Sequence, residues 1–167
     1  GVVGVDLGVK SLATTSEGEV FDNPRALVKH ERRIARLQRY VQRKKKNSRS
    51  RAKARRKLAR AYVKTRDVRS DTCHKVSLAI ARDSQMVVCE DLCVKGMLYN
   101  HNLAKSIADS GMGMLSRFIE YKCDWYDRLF LRVDRFFPSS KTCHVCGHVN
   151  PDLKLSDRVW VCPHCEI

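Results

Sequence analysis

Val2-Val3-Gly4-Val5-Asp6-Leu7-Gly8 is the stretch from which the fold can be predicted, because a β-branched run here ends in a carboxylate followed by glycine. Short runs of β-branched residues bounded by glycine are typical of β-strands. A second run, from Lys10 to Thr15, reaches the turn residues Ser16-Glu17-Gly18 and returns through Glu19-Val20-Phe21. The amino-terminal segment therefore predicts a β-meander of two or three strands.

Two further strands are predicted later in the chain. Gln85 to Asp91 is an apolar run that ends in carboxylates, and Arg128 to Phe137 shows partial alternation of apolar and polar residues. Between them, Gly113 to Asp127 has apolar residues at the three- and four-residue steps of a helix. Strands separated by helical segments indicate an α/β fold with a mixed sheet.

The segment from Lys29 to Arg69 differs from the rest in composition. It contains 19 of the 33 lysines and arginines and only two acidic residues, Glu31 and Asp67, in a chain of net charge +15. Its apolar spacing predicts two helices that are separated at Lys46-Asn47-Ser48, the second of which can continue to Arg82. We therefore expect a basic helical segment at about residues 29–82.

Charge on a helix often marks only a solvated face, and that interpretation stays open. However, crowding of one sign costs stability through self-repulsion, so a face of this kind usually contacts phosphates. The second interpretation predicts nucleic-acid binding. The residues predicted to make the contacts are Arg43, Lys44, Lys45, Lys46, Arg51, Lys53, Arg55 and Arg56.

Two Cys-x-x-Cys motifs lie at the end of the chain. Cys143 and Cys146 form the first pair, and Cys162 and Cys165 form the second, with 15 residues between them. Four thiolates at this spacing are typical of a zinc ribbon, in which a tetrahedral zinc ion has no open position and is structural. The sequence therefore predicts a zinc ribbon over residues 138–167, in which Arg158-Val159-Trp160-Val161 can return as a strand.

Other interpretations of the cysteines and histidines remain open. His144, His148 and His164 could replace a cysteine as ligands, and paired cysteines could form a redox dithiol. The remaining four cysteines lie in apolar or helical contexts, which favours buried, reduced thiols. They are Cys73, Cys89, Cys93 and Cys123.

Asp6 and Glu90 each end a strongly apolar strand. An aspartate in this position is more often a turn former or a helix cap. If the two strands were adjacent and parallel, however, the two carboxylates would lie side by side. Carboxylate oxygens are preferred ligands of Mg²⁺, and paired metal ions assist phosphodiester cleavage. Together with the basic segment, this predicts a nuclease site.

Three ordered motifs carry a resemblance to a known family: GVDLGVKSLAT at the start, VVCEDLCVKGM in the middle and FFPSSKTCHVCG…WVCPHC at the end. They resemble the RuvC-like nuclease region of the TnpB family, insertion-sequence proteins related to the type V CRISPR effectors. The resemblance implies an RNase H-like fold with a zinc ribbon and RNA-guided, Mg²⁺-dependent cleavage of DNA. It also implies that Asp6 and Glu90 are the first two metal-binding acids.

The resemblance implies a nuclease domain over residues 1–137 and guide RNA and target DNA as partners. The family's third acid follows the ribbon, and no residue here matches it. The start lacks an initiator methionine. We therefore expect a fragment of a larger polypeptide that is inactive alone. The alternative function is a non-catalytic nucleic-acid-binding module. No membrane span or signal peptide is predicted, and the expected location is the prokaryotic cytoplasm.

Overall fold

The computed structural model describes residues 1–135, 137–138, 141–153 and 159–167. The chain divides into two units, Gly1–Val133 and Asp134–Ile167. The boundary predicted from the sequence, after residue 137, falls slightly later than this division. No helix among the described residues is long and apolar enough to cross a membrane.

The first unit contains a mixed sheet of five strands, which confirms the predicted α/β class. The strands are β1 (Val2–Leu7), β2 (Ser11–Thr15), β3 (Val20–Asp22), β4 (Met86–Glu90) and β5 (Leu129–Val133). Their order is β3-β2-β1-β4-β5. The first three strands are antiparallel neighbours, as the predicted meander requires, whereas β1, β4 and β5 are parallel to one another.

The first unit, which the structure describes throughout, also contains five helices. They are α1 (Ala26–Gln42), α2 (Arg49–Asp83), α3 (Val94–Met97), α4 (Ala104–Ser110) and α5 (Met112–Trp125). The break predicted near Ser48 is confirmed, because the Ser48 hydroxyl caps α2 by accepting from the Arg51 N–H at 3.1 Å. The structure adds α3 and α4, which the apolar spacing did not predict.

The core lies on one face of the sheet. Alternate residues of β1 and β4, such as Val3, Val5 and Val87, are buried there. They share one apolar cluster with Ile80 of α2 and Leu115 of α5. Burial of each such side chain contributes about 1.5–3 kcal/mol, so the packing of α2 and α5 against the sheet stabilises the first unit. The other face of β1 and β4 lies outside this core.

Asp109 of α4 forms hydrogen bonds with the first turn of α1. Its side chain is buried, and its carboxylate accepts the backbone N–H groups of Leu27 at 2.8 Å and 3.0 Å and of Val28 at 3.3 Å. The Arg69 guanidinium lies 4.0 Å from the same carboxylate. The first N–H groups of a helix have no partner within the helix, so this carboxylate satisfies them and complements the positive end of α1.

We expect Asp109→Ala to destabilise the first unit by about 2–4 kcal/mol, because it leaves the N–H groups of Leu27 and Val28 and the Arg69 guanidinium without their acceptor. Urea unfolding followed by circular dichroism measures the loss. Asp71→Ala is the matched control, since Asp71 is mostly exposed in its ion pair with Lys75 and such pairs contribute about 0–1 kcal/mol. Equal losses in the two variants would show that the capping role is wrong.

Three sequence predictions differ from the structure. Strand β5 ends at Val133, although the alternation suggested Phe137; Phe136 lies outside the described residues. The ribbon's expected return strand at Arg158–Val161 is not formed at Val159–Val161, and Arg158 is not described. Cys93 is exposed, so the prediction of a buried thiol is wrong there, whereas Cys73, Cys89 and Cys123 are buried and unpaired.

Candidate functional site

Asp6 and Glu90 lie at the carboxyl ends of two neighbouring parallel strands. Val5 of β1 is opposite Cys89 of β4, so the next residue of each strand is one of the two acids. Paired strands are about 4.8 Å apart. The structure therefore brings together the two carboxylates that the sequence analysis singled out.

Both acids lie on the sheet face opposite the helical core. Their strand neighbours Val5, Leu7 and Cys89 point into the core, and side chains alternate between the two faces along a strand. Asp6 is exposed and Glu90 is half-buried. Two oxygen ligands on an accessible face fit a hard divalent cation that keeps several of its waters.

The four cysteines of the predicted ribbon form a single cluster. One potential ligand atom from each lies within 4.8 Å of the others. Two sulfur pairs join the two motifs: Cys143 to Cys165 at 3.5 Å, and Cys146 to Cys162 at 3.6 Å. A disulfide would need about 2.05 Å, whereas tetrahedral zinc with 2.3 Å bonds gives sulfur separations of about 3.8 Å. The geometry fits zinc.

The pKa values of these thiols are shifted in opposite directions. Backbone N–H groups of Cys146 and Val145 lower the pKa of the Cys143 thiol to about 6. The Ile167 N–H lowers the pKa of Cys165, but burial and the neighbouring sulfurs outweigh this effect and raise it to about 12. Thiolates this close together repel one another, so ionisation of all four is unfavourable on its own. A divalent cation offsets that repulsion.

In the described part of the chain, none of the three histidines near these cysteines belongs to the cluster that could hold a metal ion. The rings of His148 and His164 stack on each other at a centroid distance of 5.8 Å. A four-cysteine centre is therefore favoured over one in which a histidine replaces a cysteine.

The basic residues predicted to bind nucleic acid surround the turn between α1 and α2, which we call the hairpin tip (residues 43–56). All eight are exposed or half-exposed, and within the described residues none of them forms an ion pair with an acidic group. The Lys44 ammonium lies 4.6 Å from the centre of the Tyr40 ring. Cations without acidic partners leave their charge available for phosphate groups.

A cavity beside Glu90 was not expected from the sequence. It has a volume of about 310 Å³ and is lined by residues of β1, β4, β5, α3, α5 and the segment that joins β4 to α3. Three of its lining residues are cationic: Lys95, Arg117 and Arg132. These residues come from separate elements, so no local motif in the sequence could indicate them.

The chain combines paired carboxylates at the ends of parallel strands, a basic helical hairpin and a four-cysteine cluster. Comparison with known families identifies the family. The family OrfB_IS605, described as "Probable transposase", matches residues 1–101, and the Cas12f1-like TNB domain matches residues 113–167. The chain belongs to the OrfB_IS605 family.

Curated relatives carry a more specific name. A Streptomyces pristinaespiralis protein named "Putative RNA-guided DNA endonuclease" is 47% identical over 96% of this chain and 40% of its own length. The Escherichia coli K12 protein of that name, InsQ, is 33% identical over 96% of the chain and 44% of its own length. The chain thus spans about two fifths of the relatives' length.

A solved structure shares the fold. It is a chain from the cryo-EM structure of the Cas12f1-sgRNA-target DNA complex, with a TM-score of 0.57 and 19% sequence identity. The match covers 89% of this chain and 39% of the Cas12f1 structure's chain. The mixed α/β architecture therefore occurs within a larger nucleic-acid complex.

Proposed function

We propose that residues 1–167 form the nuclease region of an RNA-guided DNA endonuclease of a transposable element. The observation that carries the proposal is the juxtaposition of Asp6 and Glu90 on adjacent parallel strands. The relatives' name and the family description support it. The proposal assigns an RNase H-like, RuvC-like fold to the first unit and a structural zinc ribbon to the second, in a protein of the prokaryotic cytoplasm.

In this proposal Asp6 and Glu90 would hold Mg²⁺. The metal supplies charge neutralisation for the attacking and leaving oxygens of a phosphodiester. The two carboxylates provide fixed oxygen ligands, because each follows a strand whose position is set by the ladder between β1 and β4. A third carboxylate, which the resemblance places after the ribbon, completes the proposed site.

The hairpin tip would hold the backbone of guide RNA or target DNA. Each neutralised phosphate releases counterions, so binding through the tip should weaken steeply with salt. Because the charges contact phosphates rather than bases, this binding should show little sequence preference.

We expect joint replacement of Lys44, Lys45 and Lys46 by glutamine to weaken binding and to reduce the slope of log K against log salt. The reduction should be about 2–3, since each phosphate contact contributes about 0.7–0.9. Fluorescence anisotropy with a labelled oligonucleotide at several salt concentrations measures both quantities.

Glutamine at both Lys75 and Lys105 is the matched control, because these lysines already pair with Asp71 and Glu31. The control should leave the slope nearly unchanged. An unchanged affinity and slope in the triple variant would favour the solvated-face interpretation of the hairpin.

The second candidate function is a non-catalytic nucleic-acid-binding module. The exposed cations of the hairpin tip favour it, since they account for binding without any chemistry. The two candidates differ in cleavage. A chimera in which residues 1–167 replace the matching segment of the Streptomyces relative, supplied with its guide RNA, should cut target DNA if the endonuclease proposal is correct. Guide-dependent binding without cutting would favour the second candidate.

A further inference from the structure

The cavity beside Glu90 has a mixed lining that neither the carboxylate pair nor the hairpin tip explains. Leu7 at the end of β1, Val94 of α3 and Met112 of α5 supply apolar walls. Ser116 of α5 adds a hydroxyl group, and Glu90, an acid of the proposed metal site, also lines the cavity. The cavity therefore joins an apolar compartment to the edge of the sheet at which β4 ends.

The cavity lining carries charges of both signs, because Glu90 and Asp91 are acidic whereas Lys95, Arg117 and Arg132 are cationic. Lys95 and Arg117 are exposed, and the Arg132 guanidinium is half-exposed, where it donates to Glu120 at 2.6 Å. The volume of about 310 Å³ lies at the lower end of the range for small-ligand sites. A flat apolar ring with a polar edge, attached to phosphates, matches both the walls and the rim.

We propose that this cavity receives one base of the DNA strand that is to be cut. The inference rests on the proposed nuclease function and adds a specific contact to it. A base within a duplex is stacked and cannot enter a concave site, so the occupant is a base of a single strand. Apolar side chains such as Leu7, Val94 and Met112 can pack against the flat face of a base of any identity, and the neighbouring phosphates are attracted by cations.

The location gives the cavity a positioning role. A base held between α3 and α5 brings the adjoining phosphodiester to the end of β4, next to Glu90. Lys95 and Arg117 would hold the flanking phosphates at the rim. The strand is thus fixed at two points, the base and its backbone, which limits the phosphodiester groups that can reach the carboxylate pair.

Ultraviolet crosslinking of this chain to oligothymidylate of about 12 nucleotides tests the inference. The crosslinked peptides are identified by mass spectrometry after proteolysis. We expect crosslinks in residues 106–117, which include Met112 and Ser116, as well as in the hairpin tip. Ser116→Phe fills the cavity and should lower the crosslinks in residues 106–117 about tenfold, with the tip crosslinks unchanged.

Ser106→Phe is the matched control, because Ser106 is an exposed serine of α4 outside this cavity. It should leave the crosslinks in both regions at the level of the unaltered chain. Circular dichroism verifies that each variant is folded. If Ser116→Phe does not fold, Arg117→Glu at the exposed rim replaces it and should give the same selective loss.

The possible outcomes separate the two proposals. Crosslinks at the hairpin tip alone, or crosslinks in residues 106–117 that persist in the folded cavity variant, would overturn the base site and leave the proposed nuclease function standing. A chain that crosslinks nowhere would contradict nucleic-acid binding itself, and with it the proposed function.

Discussion

Removal of zinc is expected to unfold residues 134–167 and to leave the first unit folded. The described part of the second unit buries few apolar side chains beyond Cys143 and Cys162, while Val145, Val159 and Val161 are exposed. A segment of this size cannot build a sufficient core from its own side chains. Zinc–thiolate bonds would supply the missing stability, with an apparent binding free energy of about 10–16 kcal/mol in comparable small domains.

The test combines metal analysis with amide hydrogen exchange. The purified chain should contain about one zinc ion per molecule. Cys162→Ser should lose that zinc and the exchange protection of the second unit, as should complete chelation of the unaltered chain. Cys93→Ser is the matched control, because Cys93 is an exposed cysteine outside the four-cysteine cluster and should leave zinc content unchanged. Full ribbon protection after complete chelation would contradict the structural role.

The main strands and long helices could be predicted because their signals are local. The β-branched run at Val2–Leu7 has no competing helical period, and the break between α1 and α2 at Lys46-Asn47-Ser48 is visible as an interruption of the apolar spacing. The cysteine spacing likewise constrains the metal centre without knowledge of the rest of the fold. In each of these cases one stretch of sequence carries the whole signal.

Helix α4 shows why the remaining elements could not be predicted. It has seven residues, too few for a recognisable apolar period, and a helix of that length is marginal in isolation. Its buried residues include Asp109, whose partners Leu27 and Val28 lie about 80 positions earlier in the chain. Contacts between such distant residues stabilise α4, and local sequence does not encode them.

The candidate site also has a part that local sequence predicts and a part that only the folded sheet determines. The sequence indicates that Asp6 and Glu90 end strands, but the register that makes them neighbours is a property of the assembled sheet. The cavity residues Lys95, Arg117 and Arg132 come from three elements and meet only after folding. The ribbon gives the opposite error, since the sequence suggested a return strand at Arg158–Val161, and no strand forms at residues 159–161, the part of it that the structure describes.

Asp6→Ala and Glu90→Ala should each abolish cleavage by the chimera with the Streptomyces relative. In-line displacement at phosphorus requires charge neutralisation on both oxygens, so the loss of a metal-binding carboxylate should cost several kcal/mol of barrier. Since each 1.36 kcal/mol is tenfold in rate, the expected loss is about a thousandfold or more. Binding should change little, because the phosphate contacts are assigned to the cations of the hairpin tip and of the cavity rim, and not to the two carboxylates.

A second measurement separates a metal role from a purely structural one. Calorimetric titration of this chain with Mn²⁺ in place of Mg²⁺ should detect a weak site that disappears in Asp6→Ala and Glu90→Ala, and circular dichroism should show both variants folded. Glu17→Ala is the matched control, because Glu17 is an exposed acid in the turn between β2 and β3 and should retain cleavage and metal binding. Retained cleavage in either site variant would show that the carboxylate pair is not the catalytic site. Lost cleavage with unchanged Mn²⁺ binding would instead indicate that the two carboxylates orient the DNA strand. Their role would then be to contact the substrate rather than the metal ion.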